Sequence, residues 1–280
     1  MTESQHYTVT ILKHGSRSTV KSDVFLNYPI YGEDDAPIDM DYFAWIIRNE
    51  ERTVLVDTGF SRKGGESRNR TFLLDLPRAY ESLGIEPSES PDVVVTHAHY
   101  DHTGNLDHFP TSRIILSRSE FEFWNGPGSR HTQFQHSVED DDLAELRRAA
   151  DEGRVVLFDD TLEIAPGIEL IRVGGHTPGQ SVVKVDTSEG VVLLASDAIH
   201  FYEEYERDMP FTFVADLVAM YDAFEYIKRL EQSGEVTHVV SGHDATTLSR
   251  FTPMAGEFAG LAATIGIGGT ESPEKEERKP

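Results

Sequence analysis

The stretch Thr96-His97-Ala98-His99-Tyr100-Asp101-His102-Thr103-Gly104-Asn105 decides the reading of this 280-residue chain. Four ligand-capable side chains, His97, His99, Asp101 and His102, fall within six residues. They follow the apolar run Val93-Val94-Val95 and precede Gly104, the pattern of a strand end turning into a helix. On extended backbone alternate residues point the same way, so His97 and His99 can share one face. Asp101 and His102 can then serve a second position close by. Imidazole and carboxylate are the ligands that zinc, iron and manganese accept.

Three further candidates stand in the same local context. His176 lies in Val173-Gly174-Gly175-His176-Thr177-Pro178-Gly179, Asp197 in Leu193-Leu194-Ala195-Ser196-Asp197, and His243 in Val239-Val240-Ser241-Gly242-His243-Asp244. Each follows an apolar run. Ligands at the carboxyl ends of several strands converge on one edge of a sheet, where α/β sites lie.

Short β-branched or aromatic runs bounded by turn residues predict strands at His6–Leu12, Tyr42–Ile47, Thr53–Val56, Val93–Thr96, Arg113–Leu116, Val155–Phe158, Ile168–Val173, Ser181–Val185, Val191–Ala195 and Val236–Val240. Helices are predicted at Thr71–Leu83, Arg118–Trp124, Leu143–Glu152 and Phe213–Gln232. The last carries a core-facing stripe of Leu217, Met220, Phe224, Ile227 and Leu230. Asn125–Asp142 reads as a long polar loop or insertion. Many strands with a few interspersed helices indicate a layered α/β sandwich. No internal repeat and no central Pro/Gly/Ser linker is visible, so one domain is expected over 1–264. The charged, Gly-rich segment 265–280 is expected to be a disordered tail.

A chain of this length can bury roughly 75% of its unfolded surface. Apolar residues are 38% and charged residues 26%. The net charge of −24 repels phosphate backbones and anionic lipid, which argues against nucleic-acid and membrane-surface partners. With no cysteine, thiolate metal sites, iron–sulfur clusters, disulfide scaffolds and Cys nucleophiles are excluded, so any metal must be held by His, Asp and Glu. No run approaches a membrane span. The opening MTESQHYTVTILKHG has no apolar signal-peptide region, and a cytoplasmic protein is expected.

The ligand pattern resembles the metallo-β-lactamase superfamily. The matching motif is HxHxDH at His97–His102, with later ligands at His176, Asp197 and His243, and the likeness runs from Val54-Leu55-Val56-Asp57-Thr58-Gly59 to Gly242-His243-Asp244. Within it, the N-acyl homoserine lactonase family is most similar, through Gly174-Gly175-His176-Thr177-Pro178-Gly179-Gln180, Ser196-Asp197-Ala198, Arg207-Asp208-Met209-Pro210-Phe211 and Gly242-His243-Asp244. The resemblance implies an αββα sandwich of two mixed β-sheets flanked by helices. It implies two divalent metal ions, zinc first among them. His97, His99 and His176 would hold one, Asp101, His102 and His243 the other, and Asp197 would bridge them. A small-molecule lactone or ester is the implied partner, and a homodimer is compatible with it.

The implied reaction is lactone opening by a metal-bridging hydroxide, with Asp101 moving the proton to the leaving oxygen. Members of the family carry a Tyr three residues after the bridging Asp; here that position is His200. His200, or Tyr202 two residues on, is the candidate for touching the substrate carbonyl. Asp57 is either a support for the ligand loop or a turn residue. The segment Phe25–Asp41 is a candidate lid, and Trp124, Phe201, Tyr202, Met209 and Phe211 are candidate apolar lining. His131 and His136 read as solvated, His6, His14, His108 and His238 carry no motif, and Glu203-Glu204 reads as a solvated turn. Alternative functions are a glyoxalase II-like thioesterase or other ester hydrolase of this fold, a β-lactamase, and a metal-dependent redox enzyme. Against the diiron oxygen reductases, His99 stands where they carry Glu.

Overall fold

The computed structural model describes residues 6–266. Among the described residues fourteen strands are arranged in two sheets. The first sheet contains β1 (Thr8–Val20), β2 (Pro37–Arg48), β3 (Thr53–Val56), β4 (Thr71–Phe72), β5 (Asp92–Val94), β6 (Ile114–Ser117), β7 (Val155–Phe158), β13 (Thr252–Pro253) and β14 (Ala262–Ile265). The second contains β8 (Thr161–Ala165), β9 (Ile168–Arg172), β10 (Ser181–Thr187), β11 (Gly190–Ser196) and β12 (His238–Ser241). The helices are α1 (Lys21–Val24), α2 (Arg62–Ser67), α3 (Leu76–Ser82), α4 (Tyr100–Thr103), α5 (Arg118–Asn125), α6 (Thr132–Gln135), α7 (Asp140–Asp151), α8 (Tyr202–Arg207) and α9 (Leu217–Ser233).

The first sheet runs β13-β14-β1-β2-β3-β5-β6-β7, with β4 paired to β1. Its β3–β5–β6–β7 part is parallel and the rest antiparallel. The second runs β12-β11-β10-β9-β8, parallel only at β11–β12. Both are therefore mixed. Strand alternation sets the layers. On β3, Val54 and Val56 face the second sheet while Leu55 faces α3 and its neighbours. On β11, Val192 and Leu194 face inward while Leu193 and Ala195 meet α8 and α9. Trp45, Ile11, Leu170 and Val183 fill the space between the sheets. Helices α3, α5 and α7 cover the first sheet through Tyr80, Trp124 and Leu146. The result is the expected αββα sandwich.

Several elements differ from the expected bounds. Thr71–Phe72 is a bridge strand on β1, not the start of a helix; α3 begins only at Leu76, where the Asp75 side chain accepts from Arg78 N. Strand β1 continues beyond Leu12 to Val20 through a bulge at Lys13/Gly15, because β2 is long enough to pair with it throughout. Helix α9 starts at Leu217, not Phe213: Asp216 caps it by accepting from Val218 N and Ala219 N. Leu217 is 40% exposed and leaves the expected stripe, while Met220, Phe224, Ile227 and Leu230 are buried. The Asn125–Asp142 segment contains α6 and the first turn of α7. Ile265, expected in the tail, closes β14 and is fully buried, pairing with Val9. Residues 267–280 of the expected tail lie outside the described residues.

Phe224 pins α9 to the outer face of the second sheet. Phe224→Ala is expected to cost about 3–5 kcal/mol of unfolding free energy, read by chemical denaturation.

Candidate metal centre

The seven residues singled out by the motifs come together in two buried groups. The ligand atoms of His97, His99, His176 and Asp197 lie within 4.8 Å of one another, as do those of Asp101, His102 and His243. Asp197 stands between the groups. Its Oδ2 is 3.6 Å from His97 Nε2 and 3.4 Å from His176 Nε2. Its Oδ1 is 3.4 Å from His102 Nε2 and 3.1 Å from His243 Nε2. Asp101 Oδ2 closes the second group, 3.7 Å from His243 Nε2 and 3.9 Å from His102 Nε2.

The donor set fits a pair of divalent cations. Buried polar atoms normally find partners, yet His97 Nε2, His102 Nε2, Asp197 Oδ1 and His200 Nε2 are buried without a well-aligned hydrogen bond. All four point into this cluster. Burial holds His97 and His99 well below the usual histidine pKa and takes His176 down to about 3, which keeps their lone pairs available. For His102, burial would do the same, but Asp197, Asp57 and Asp101 outweigh it and push the pKa up. A cation bound there would compete with that proton.

Three of the candidate ligands, His102, His176 and His243, are oriented from behind. Asp57, at φ 58°, sits in the turn after β3. Its carboxylate accepts from Thr96 N at 2.8 Å and Thr96 Oγ1 at 2.7 Å, and meets His102 Nδ1 at 2.7 Å. It is thus a support for the ligand loop. His176 Nδ1 faces the Phe213 carbonyl at 2.7 Å, and His243 Nδ1 faces the Asp41 carbonyl at 2.7 Å. Two glycines are required by close approach. A Cβ on Gly175 would lie 2.6 Å from Met220 Cα, and one on Gly242 would lie 2.7 Å from Asp197 Oδ1.

Glu120, which sequence reasoning passed over, ties two ligand loops together. Its buried carboxylate accepts from Ala98 N (2.9 Å), Trp124 Nε1 (2.7 Å), Thr177 Oγ1 (2.7 Å) and Gly179 N (2.9 Å). Ala98 separates His97 from His99, and Thr177 follows His176. The only hint in the sequence was a glutamate on the inward side of α5.

His200 and Tyr202, the two candidates beyond the ligands, part company. His200 Nε2 is 3.2 Å from Asp197 Oδ2, and its ring stacks on Phe211 at 3.7 Å between centroids. Tyr202 opens α8 and points the other way, donating to the Val239 carbonyl at 3.2 Å with Arg250 over its ring. It lies in the outer core and cannot reach the cavity. Glu204 is also a correction: it is fully buried, not solvated, and its carboxylate lies 3.1 Å from His200 Nδ1. Burial alone would lower the His200 pKa, but Glu204 and Asp197 push it up to about 9. Glu203 pairs with Lys21.

A cavity of ≈ 350 Å³ opens over these groups, walled by Met40, Tyr42, Tyr100, Phe211 and Phe213. Of the expected apolar lining only Phe211 borders it; Trp124 packs edge-on against His99 at 5.7 Å, and Phe201 and Met209 lie in the core behind. Met40 is the contribution of the Phe25–Asp41 segment, whose Phe25 and Tyr28 are buried in that core. His136 is exposed, as expected, but borders the cavity. A larger groove of ≈ 730 Å³, around Thr8, Ile46 and Arg48, contains none of these ligands. Among the described residues no helix is long and apolar enough to cross a membrane.

The pattern of the metallo-beta-lactamase superfamily matches residues 39–243. The chain is 29% identical to an N-acyl homoserine lactonase of Bacillus sp over 225 residues, 74% of this chain and 82% of that protein. It is 28% identical to N-acyl homoserine lactonase AiiB of Agrobacterium fabrum over 227 residues, 74% of this chain and 80% of that protein. In three dimensions it is similar to a quorum-quenching N-acyl homoserine lactone lactonase, with TM-score 0.71, 20% identity and coverage of 87% and 94% of the two chains. It is also similar to AidC, a dizinc quorum-quenching lactonase, with TM-score 0.67, 19% identity and coverage of 85% and 88%. The chain belongs to the metallo-beta-lactamase superfamily.

Removing the Glu120 carboxylate would leave buried donors in both ligand loops unmatched. Glu120→Ala is expected to cost about 3 kcal/mol or more in denaturation and to lower the metal retained after dialysis. Unchanged stability and metal content would contradict the clamp.

Proposed function

We propose that this member of the metallo-beta-lactamase superfamily is a dinuclear metal-dependent hydrolase that opens lactone rings. N-acyl homoserine lactones are its first candidate substrates and zinc its first candidate metal. The observation that carries the reading is Asp197, whose two oxygens face two separate buried groups of imidazoles. The lactonases among its relatives support the choice of bond. All seven ligand-capable residues come from one chain, so one chain is the proposed catalytic unit, and its proposed location is the cytoplasm.

His97, His99 and His176 would hold one ion and Asp101, His102 and His243 the other, with Asp197 shared. Bound there, the ions supply a Lewis acid for the ester carbonyl and a water of lowered pKa. Asp101 is a carboxylate at the cavity floor, placed to accept a proton from the attacking water and return it to the leaving oxygen. The leaving group of a lactone stays tethered, so one open hydroxy acid results. His200 presents Nε2 to the cavity beside Asp197, fixed by Phe211 on its face and Glu204 behind. It is the group placed to meet the carbonyl side of the substrate, and Glu204 is its positioning residue. Met40, Phe211 and Phe213 keep water from the bound ester.

Proton release on a panel of acyl homoserine lactones, plain γ- and δ-lactones, a thioester and a β-lactam tests the reading with zinc-loaded protein. Lactone turnover that Asp197→Asn abolishes is expected. Two ions per chain without lactone turnover would overturn the substrate class. On whichever lactone is turned over, Glu204→Gln is expected to lower kcat by about 10–100-fold. Tyr202→Phe should leave kcat within about twofold, since its hydroxyl makes only modest core hydrogen bonds.

A further inference from the structure

Three arginines border the cavity, Arg17, Arg68 and Arg70, against two carboxylates, Asp101 and Asp197, in a chain whose net charge is −24. Two of the arginines are engaged elsewhere. Arg68 pairs with Glu139 and donates to the carbonyls of His136 (2.9 Å) and Val138 (3.0 Å). Arg17 donates to Thr19 Oγ1 at 3.1 Å and lies 3.7 Å from Asp23. Arg70 is different. Its Nε donates to Tyr100 Oη at 3.0 Å and its Nη1 to the Arg68 carbonyl at 2.7 Å, both uncharged acceptors. Among the described residues it forms no ion pair, and its Nη2 makes no hydrogen bond.

The placement is built rather than incidental. Strand β4 pairs Thr71 with Ser16, and Arg70 N donates to the Gly65 carbonyl at 2.9 Å, so the backbone on both sides of the residue is fixed. Tyr42 stands beside the guanidinium at 5.7 Å and edge-on to His243 at 4.9 Å. Its hydroxyl reaches the Met40 sulfur at 3.8 Å and lies against the Tyr100 hydroxyl. Phenols carry their protons at neutral pH, so both hydroxyls can donate. With two divalent ions in place, Asp101 and Asp197 offset only part of the metal charge, and none is left for Arg70. A guanidinium stays charged and offers directed donors to a carboxylate.

We propose that Arg70, with the phenols of Tyr42 and Tyr100, forms an anion-binding subsite in this cavity, and that the preferred lactone or ester carries a carboxylate away from the bond that is cut. The inference rests on the lactonase reading for the bond cleaved, but not for the anion bound. It implies a substrate more polar than a neutral acyl chain.

The test uses metal-loaded protein and a matched pair: γ-butyrolactone bearing a carboxylate on the ring carbon next to the ring oxygen, and its primary amide. The ratio of kcat/KM, acid over amide, is expected to be about tenfold or more. Arg70→Met should cut that ratio by about tenfold or more, chiefly through KM, and Arg70→Lys should restore part of it. Calorimetry reads binding separately: the advantage of glutarate over butyrate should be present in the unaltered protein and lost in Arg70→Met. A ratio indifferent to both Arg70 variants, or a preference for the amide, would overturn the subsite while leaving lactone opening intact. Arg70-dependent glutarate binding without turnover of either lactone would sustain the subsite and overturn the lactonase reading. If Arg70→Met does not fold, the Arg70→Lys comparison decides.

Discussion

Everything at the functional end of this molecule depends on keeping one carboxylate, Asp197, ionised in the interior. It is almost completely buried, and burial alone would raise its pKa. His243, His200 and His102 hold it down instead. An isolated buried charge is costly, and it persists only where partners converge on both oxygens. The partners come from four strand ends: the turn after β5, the loop after β9, the end of β11 and the loop after β12. That convergence is what the two-sheet architecture supplies.

The strand ends are held by a layer of groups that do not face the cavity. Asp57 fixes the loop carrying His102, Glu120 ties the His97–His99 loop to the His176 loop, and Glu204 holds His200. All three are fully buried acids in a protein whose surface is already strongly acidic. Asp57 and Glu120 are each satisfied by several hydrogen bonds, the condition under which a buried carboxylate orders its surroundings, whereas Glu204 meets His200 alone. The cavity mouth, by contrast, gathers arginines. Loaded with cations it would stand as a positive well in a negative molecule, a geometry that focuses the field on approaching anions.

The sequence shows some of this directly. The candidate ligands are legible because they are local: HxHxDH lies in six residues, and His176, Asp197 and His243 each follow an apolar run. The central strands are legible for the same reason, with Thr53–Val56 and Val155–Phe158 matching their predicted bounds. What could not be read depends on partners far along the chain. Strand β4 is two residues long and exists because β1 offers it an edge. The Ala-rich β14 has little strand propensity of its own and is set by pairing with β1. Glu204 resembled a solvated acid because its neighbours Glu203 and Glu206 are charged; only the phase of α8 turns it inward. The same phase sends Tyr202 away from the cavity, while His200, ahead of the helix, stays in it.

The central claim is that Asp197 serves two metal ions at once. Metal content per chain, measured by elemental analysis after reconstitution with zinc and removal of loose ions, tests it most directly. The account requires two ions per chain, falling to one or fewer in Asp197→Ala while the far-ultraviolet circular dichroism stays that of the folded protein. A single ion in the unaltered protein, or two ions retained by folded Asp197→Ala, would contradict it.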